Sequence, residues 1–193
     1  MPRTEKQNAE IRERTKALIL DASLRLFAQK GYHGTSINDI AKEAGISKGL
    51  AYNYFPSKQA IAEGIIQNML KVGEELAKEF YKPVDPFERL DNMLEASFNY
   101  IKENEDYWKL ILNFSLQPDV LDYAMKISKE FNDKLLAEIK SILKKLGVKN
   151  PAMEARLLGA MVDGVSLHYI IDKNSVDLKK VKKAILDKYK PAE

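Results

Sequence analysis

Between Ser47 and Phe55 the chain reads Lys48-Gly49-Leu50-Ala51-Tyr52-Asn53-Tyr54, a mixture of basic, small and aromatic residues that is unusual for a helix serving only to fill a core. Each residue type suits contact with a nucleic-acid duplex. Lys48 can reach a phosphate or a guanine acceptor, and Gly49 lets a backbone approach closely. Leu50 and Tyr52 can meet thymine methyls, while Asn53 and Tyr54 can bond to phosphates. Ser47, Thr35, Ser36 and Lys58 fall at or beside predicted helix N-termini, where unpaired amides and the helix dipole favour an anion. Read as structure alone, the serines would be caps, the tyrosines packing residues and the lysines solvated.

The elements that must hold these residues are helical throughout. Apolar residues recur at helical spacing, and no run alternates in the manner of a strand. A first helix is predicted over about 11–29, with Leu18, Ile19, Ala22, Leu26 and Phe27 on one face and Gly31 just past its end. Ser36 caps a short helix over 37–44, with Asp39 near its first amides, and Gly45 stops it. Ser47 caps a second short helix over 48–54, closed by Pro56. The spacing of these two helices about Ala44-Gly45-Ile46-Ser47 matches a helix-turn-helix. A seven-residue helix is only about 10 Å long, yet its exposed face fits a major groove about 12 Å wide.

Ser57 opens a long helix predicted to reach Tyr81, carrying Ile61, Ile65, Met69, Val72, Leu76 and Phe80. The prolines of Lys82-Pro83-Val84-Asp85-Pro86 break the chain before helices over 87–103 and 106–116. After Gln117-Pro118-Asp119 a long helix runs to about Leu146, and two more cover 152–172 and 177–189. The fold class is therefore all-α, with about nine helices.

Residues 26–62, LFAQKGYHGTSINDIAKEAGISKGLAYNYFPSKQAIA, resemble the N-terminal signature of TetR/AcrR-type regulators. The resemblance rests on Phe27, Gly31, Thr35, Ile40-Ala41, Ala44-Gly45, Ser47, Tyr52, Tyr54-Phe55, Lys58 and Ile61. Ala51 departs from it, since the family commonly has a larger aliphatic residue there. The resemblance implies a three-helix DNA-binding head with phosphate contacts at Thr35, Tyr54 and Lys58 and base contacts from the Ser47–Asn53 surface. It also implies a homodimer on a palindromic operator and a helical body that senses a small ligand. The domains expected are 1–56 for DNA binding and 57–193 for ligand sensing and dimerisation.

Within the body, the segment from Leu157 to Leu167 is apolar nearly all round. Leu158, Met161, Val162 and Val165, with Val181 and Ile185 of the last helix, are the expected dimer interface; the same segment would also suit a central core helix. Phe98, Tyr107, Trp108, Phe114, Phe131, Met161 and His168 form an aromatic and Met-rich set that can line an adaptable ligand pocket or make solid core. A small apolar or amphipathic effector bound among helices 4 to 8 would shift helix 4 and change the separation of the two heads.

Composition narrows the alternatives. The chain has 45% hydrophobic and 31% charged residues, the profile of a globular protein. Residues 1–58 hold ten Lys/Arg against six Asp/Glu, while the other 135 hold 21 against 22, so the positive excess lies in the first third. With no cysteine and only His33 and His168, thiol chemistry and a metal site are not expected. No catalytic residues and no cofactor are expected either: a nucleophile–base pair, clustered metal ligands and a phosphate-binding glycine loop are all missing. A protein-binding adaptor would leave the groove-sized helix and its phosphate-compatible caps unexplained. With a polar N-terminus and no apolar run of about 18 residues, a cytoplasmic protein with no membrane partner is expected. Repression is the expected action, and activation by the same fold is the alternative.

Overall fold

The computed structural model describes residues 4–78 and 84–190. Among these there are nine helices and no strand: α1 (Glu5–Lys30), α2 (Ile37–Glu43), α3 (Lys48–Tyr54), α4 (Lys58–Ala77), α5 (Pro86–Glu103), α6 (Glu105–Ser115), α7 (Pro118–Lys145), α8 (Pro151–Ile171) and α9 (Leu178–Asp187). The predicted end of the fourth helix at Tyr81, with Phe80, lies outside the described residues, as do Lys82 and Pro83.

The main local difference is the start of α1, six residues earlier than its apolar pattern indicates. Thr4 and Gln7 form a reciprocal capping box, and the polar residues behind it are good helix formers. Of residues 5–18, all but Thr15 are exposed. A helix that buries nothing has no apolar period to read.

Contacts group the chain into two units: residues 1–69 with 110–128, and residues 70–109 with 129–193. In the first, α2 packs on both α1 and α3. Ser36 and Asp39 cap α2 reciprocally, with Asp39 N–H donating to Ser36 Oγ at 3.2 Å and Ser36 N–H donating to Asp39 Oδ2 at 3.0 Å. Hydrogen bonds from Ser36 hold the Asp39 carboxyl below the usual carboxylate range. Gly45 then turns the chain at φ +66°, a conformation that costs glycine nothing. Ile46 N–H donates back to Ala41 O at 2.9 Å across this turn. Ser47 caps α3 through Leu50 N–H at 3.1 Å, and Ser57 caps α4 through Ala60 N–H at 3.0 Å.

In the second unit, α5 packs against α8 and α9, which also pack on each other. Its core joins Leu90, Leu94 and Phe98 of α5 to Ile142 and Leu143 of α7, Leu158 of α8 and Ile185 of α9. The rim of this core is polar and paired. Lys182 contacts Asp91 (2.5 Å) and Glu95 (2.7 Å); burial pushes the ammonium pKa down, but bonds to the two carboxylates outweigh it and leave the pKa raised. Tyr189 Oη donates to Glu154 at 3.0 Å, and burial first, then that bond, moves its pKa up to about 12.

Candidate nucleic-acid interface

Helix α3 is held at its ends and on one narrow line. Ala51 is fully buried, Phe55 just beyond is buried, and Tyr54 is half-buried. Lys48, Gly49, Leu50, Tyr52 and Asn53 are all exposed. Leu50 (37% exposed) and Tyr52 (45%) are among the large apolar side chains that the chain leaves in solvent. A Cβ built on Gly49 would meet nothing within 4 Å, so no packing inside the chain calls for glycine there. The small side chain at 51 sits where α3 meets the rest of the head, so the departure from the family pattern falls on the packed line and leaves the outward face intact.

Two of the residues expected to meet phosphate have side chains already bonded within the chain. Thr35 is 1% exposed, and its hydroxyl donates to Gly31 O at 2.9 Å and lies 3.3 Å from Leu26 O. Lys58 Nζ donates to Tyr32 O at 2.7 Å and Thr35 O at 3.0 Å, with His33 O at 3.5 Å, and stands 4.5 Å from the centre of the Tyr32 ring. Contact between either side chain and a phosphate would require breaking these bonds. Both side chains brace the turn that leads into α2. Ser36 and Ser47 remain exposed at helix starts, although their hydroxyls already cap α2 and α3. The sequence reading missed Arg12, whose guanidinium lies 5.7 Å from the centre of the Tyr54 ring and places a cation beside the end of α3. Its only signal was a basic residue in a stretch that buries nothing.

The sequence profile described as bacterial regulatory proteins, tetR family, matches residues 19–65, spanning this head. The HTH-type transcriptional regulator in the lacX 3' region of Lactococcus lactis subsp. lactis is 31% identical over 159 residues, covering 78% of this chain and 80% of that protein. This chain belongs to the TetR family of bacterial regulatory proteins.

The HTH-type transcriptional regulator YuxN of Bacillus subtilis is 31% identical over 154 residues, covering 79% of this TetR-family chain. The match covers 53% of YuxN, so the chain spans about half the length of that relative. Among solved structures, the transcriptional regulator FadR of Bacillus subtilis, in complex with stearoyl-CoA, matches with a TM-score of 0.69 at 18% identity, covering 90% of this chain and 96% of that one. This is a likeness of fold.

Of the seven pocket candidates of this TetR-family chain, Phe114 belongs to the first unit and the other six to the second. Phe98 is in the core of the second unit and Met161 packs against it. Trp108 packs with Ile101, Tyr169 and Ile170 and meets Tyr107 and Tyr100 edge-on. The Phe131 ring covers Gly73, where a Cβ would come within 2.8 Å of it. Phe114 is fully buried in the first unit, stacked on Phe27 at 5.5 Å, and His168 is exposed. Helical spacing could not separate these fates, because it places a residue on a face of its helix without saying what that face meets. One open cleft of about 250 Å³ does lie in the second unit, lined by Phe98, Tyr169 and Leu178 with Lys102, Lys179 and Lys182 among its polar residues. Trp108 Nε1 and Tyr123 Oη are buried donors with no partner among the described residues.

Of the six expected dimer residues, two lie inside the chain's own fold and four are partly buried. Leu158 and Ile185 are buried in the chain's own core, and Met161, Val162, Val165 and Val181 pack against it. An apolar stripe faces out from the other side of α8. Met153, Leu157, Ala160, Leu167 and Ile171 are exposed and Gly164 is half-exposed, at alternating spacings of four and three. Because α8 is apolar on both sides, hydropathy could not say which face the chain keeps for itself.

The open space at Gly49 predicts a split result. Gly49→Ala leaves the fold intact and stabilises the head by up to about 1 kcal/mol through helix propensity, measured by denaturant unfolding. The same variant weakens duplex binding, measured by fluorescence anisotropy.

Proposed function

We propose that this TetR-family chain is a transcriptional repressor that binds a palindromic operator as a homodimer and is released by a small apolar or amphipathic effector. The observation that carries the reading is the outward face of α3. A helix of seven residues has little stability of its own, and here it turns Lys48, Gly49, Leu50, Tyr52 and Asn53 outward. Lys48, Leu50, Tyr52 and Asn53 supply base and phosphate contacts, Gly49 admits close approach, and Tyr54 with Arg12 lies at the phosphate edge. Ser36 and Ser47 hold helix starts beside the duplex, while Thr35 and Lys58 fix the turn behind them. Residues 1–56 act as the DNA-binding domain and 57–193 as the sensing and dimerisation domain.

A second copy covers the exposed stripe of α8. Met153, Leu157, Leu167 and Ile171 are large apolar groups gathered on one face, and Ala160 and Gly164 between them allow close helix approach. A twofold pair carries two α3 helices, and hence reads a palindrome.

The effector acts by binding the DNA-competent and DNA-incompetent arrangements with different affinity. An amphipathic compound of the kind bound to FadR has an apolar body for the aromatic residues and acceptors for the buried Trp108 N–H. The protein works in the cytoplasm without a cofactor and is not an enzyme; among the described residues no helix is long and apolar enough to cross a membrane.

Duplexes selected by the protein from a random library test the reading. Lys48→Ala weakens binding to the selected duplex about tenfold and lowers the salt slope by about one if the contact is to phosphate; unchanged affinity removes the proposed face. Leu157→Asp yields monomers by light scattering and loses operator affinity, whereas a wild-type protein that is monomeric at micromolar concentration defeats the dimer. Trp108 is the chain's one tryptophan, so its emission reports on its own surroundings. Saturable change on adding stearoyl-CoA, together with release of the duplex, supports an acyl effector; a response in neither eliminates that class.

A further inference from the structure

The segment Gln117-Pro118-Asp119 reads in the sequence as a break between two helices. In the first unit it does more. The Gln117 backbone carbonyl accepts from Val120 N–H and Leu121 N–H, both at 2.9 Å, so this residue starts α7, with Pro118 suited to the first helical position. Its side chain reaches away from α7 to the end of α1. Tyr32 N–H donates to Gln117 Oε1 at 2.6 Å, and Gln117 Nε2 donates to Phe27 O at 2.9 Å and lies 3.3 Å from Asn113 O.

One primary amide thus joins three places in the chain: the last turn of α1, the turn toward α2, and the start of α7. The pairing fixes the amide's orientation, because exchanging its oxygen and nitrogen would set donor against donor at Tyr32 and acceptor against acceptor at Phe27. Around it, Phe114 of α6 stacks on Phe27 and both rings are fully buried. His33 Nε2 lies 2.7 Å from Asp119 Oδ2. The turn secured in this way is the one whose carbonyls Lys58 holds from α4, and it leads directly into α2 and α3.

We propose that Gln117 is a positioning residue for DNA binding: its amide latches the α1–α2 turn to the α6–α7 junction and so sets the orientation in which α2 and α3 leave α1. This rests on the regulator reading above. Breaking the latch leaves the Tyr32 N–H without its acceptor and lets the turn, and the helices after it, sample more orientations. Only some of these fit a duplex, so specific affinity falls. Tyr123 stands less than two turns along α7 from the latch, with a buried hydroxyl that no described residue satisfies. Burial first, then neighbouring Tyr32, raises its pKa. The start of α7 is thus bonded to the end of α1 and the turn after it through Gln117.

The test uses the full chain with two substitutions. Gln117→Met keeps the length and removes both bonds, while Gln117→Glu keeps the acceptor and loses the donor. Hydrogen exchange at the Tyr32 amide is expected to quicken about tenfold in the Met variant, with amides of the second unit unchanged. Affinity for the library-selected duplex falls about five- to tenfold, less than the full worth of the two lost bonds because the latch acts through the turn and not at the duplex. Binding to an unrelated duplex at low salt is unchanged for the Met variant, and the Glu variant, which keeps an acceptor for the Tyr32 N–H, retains more protection at that amide than Met does. A residue that only adds stability would instead speed exchange across the whole first unit and weaken both duplexes alike. That uniform pattern, or unaltered Tyr32 protection in the Met variant, overturns the proposal. If the wild-type protein enriches no duplex, the regulator reading fails and the role in DNA binding falls with it, while the Tyr32 exchange rates still decide whether the latch exists.

Discussion

The carbonyls of Tyr32 and Thr35 converge on one ammonium, that of Lys58, and the placement of the DNA head depends on this convergence. A turn that reverses the chain between two helices leaves carbonyls that no helix satisfies, and leaving them buried without partners is costly. Lys58 meets them with several donors on a single charged group and stacks on the Tyr32 ring as it does so. The Thr35 hydroxyl takes up Gly31 O from the inner side of the same turn. With the turn held at these points, α2 can leave in only a narrow range of directions, and α3 follows through a four-residue connection.

This constraint explains how a helix as short as α3 can present most of its surface to solvent. Its hold comes from elsewhere: the Ser47 cap, the Gly45 turn, the buried line through Ala51, and Phe55 closing the end. Leu50 and Tyr52 leave 37% and 45% of their surface exposed, which hydrophobic burial alone would not favour. Exposure of this kind, on an element so firmly seated, is what a contact surface requires.

The second unit solves a different problem. Its core is closed by α5, α7, α8 and α9, and its polar rim is paired through Lys182 and Tyr189. Yet α8 is apolar beyond what that core uses, with Leu158 fully inside and neighbouring Leu157 48% exposed. Two adjacent leucines, about 100° apart around the helix, thus have different surroundings: the chain's own core takes one and leaves the other half in solvent.

What the sequence determined alone was most of what near neighbours along the chain govern. The Ser36, Ser47 and Ser57 caps, the Gly45 turn and the helical periods through α4–α9 depend on spacings of three or four residues, and those are visible in the letters. The start of α1 escaped because its cap lies ahead of a stretch with no buried face. Tertiary structure decided which side of each helix turned inward and where long polar side chains made their bonds. Leu158 and Leu157 look alike in the sequence, as do Phe114 and Phe98, and nothing near Thr35, Gln117 or Lys58 reveals that their partners are carbonyls and amides up to 90 residues away. Local spacing sets the helices; the direction of a side chain's bond across the fold depends on which backbone groups the turns have left unpaired, and that is settled only when the helices meet.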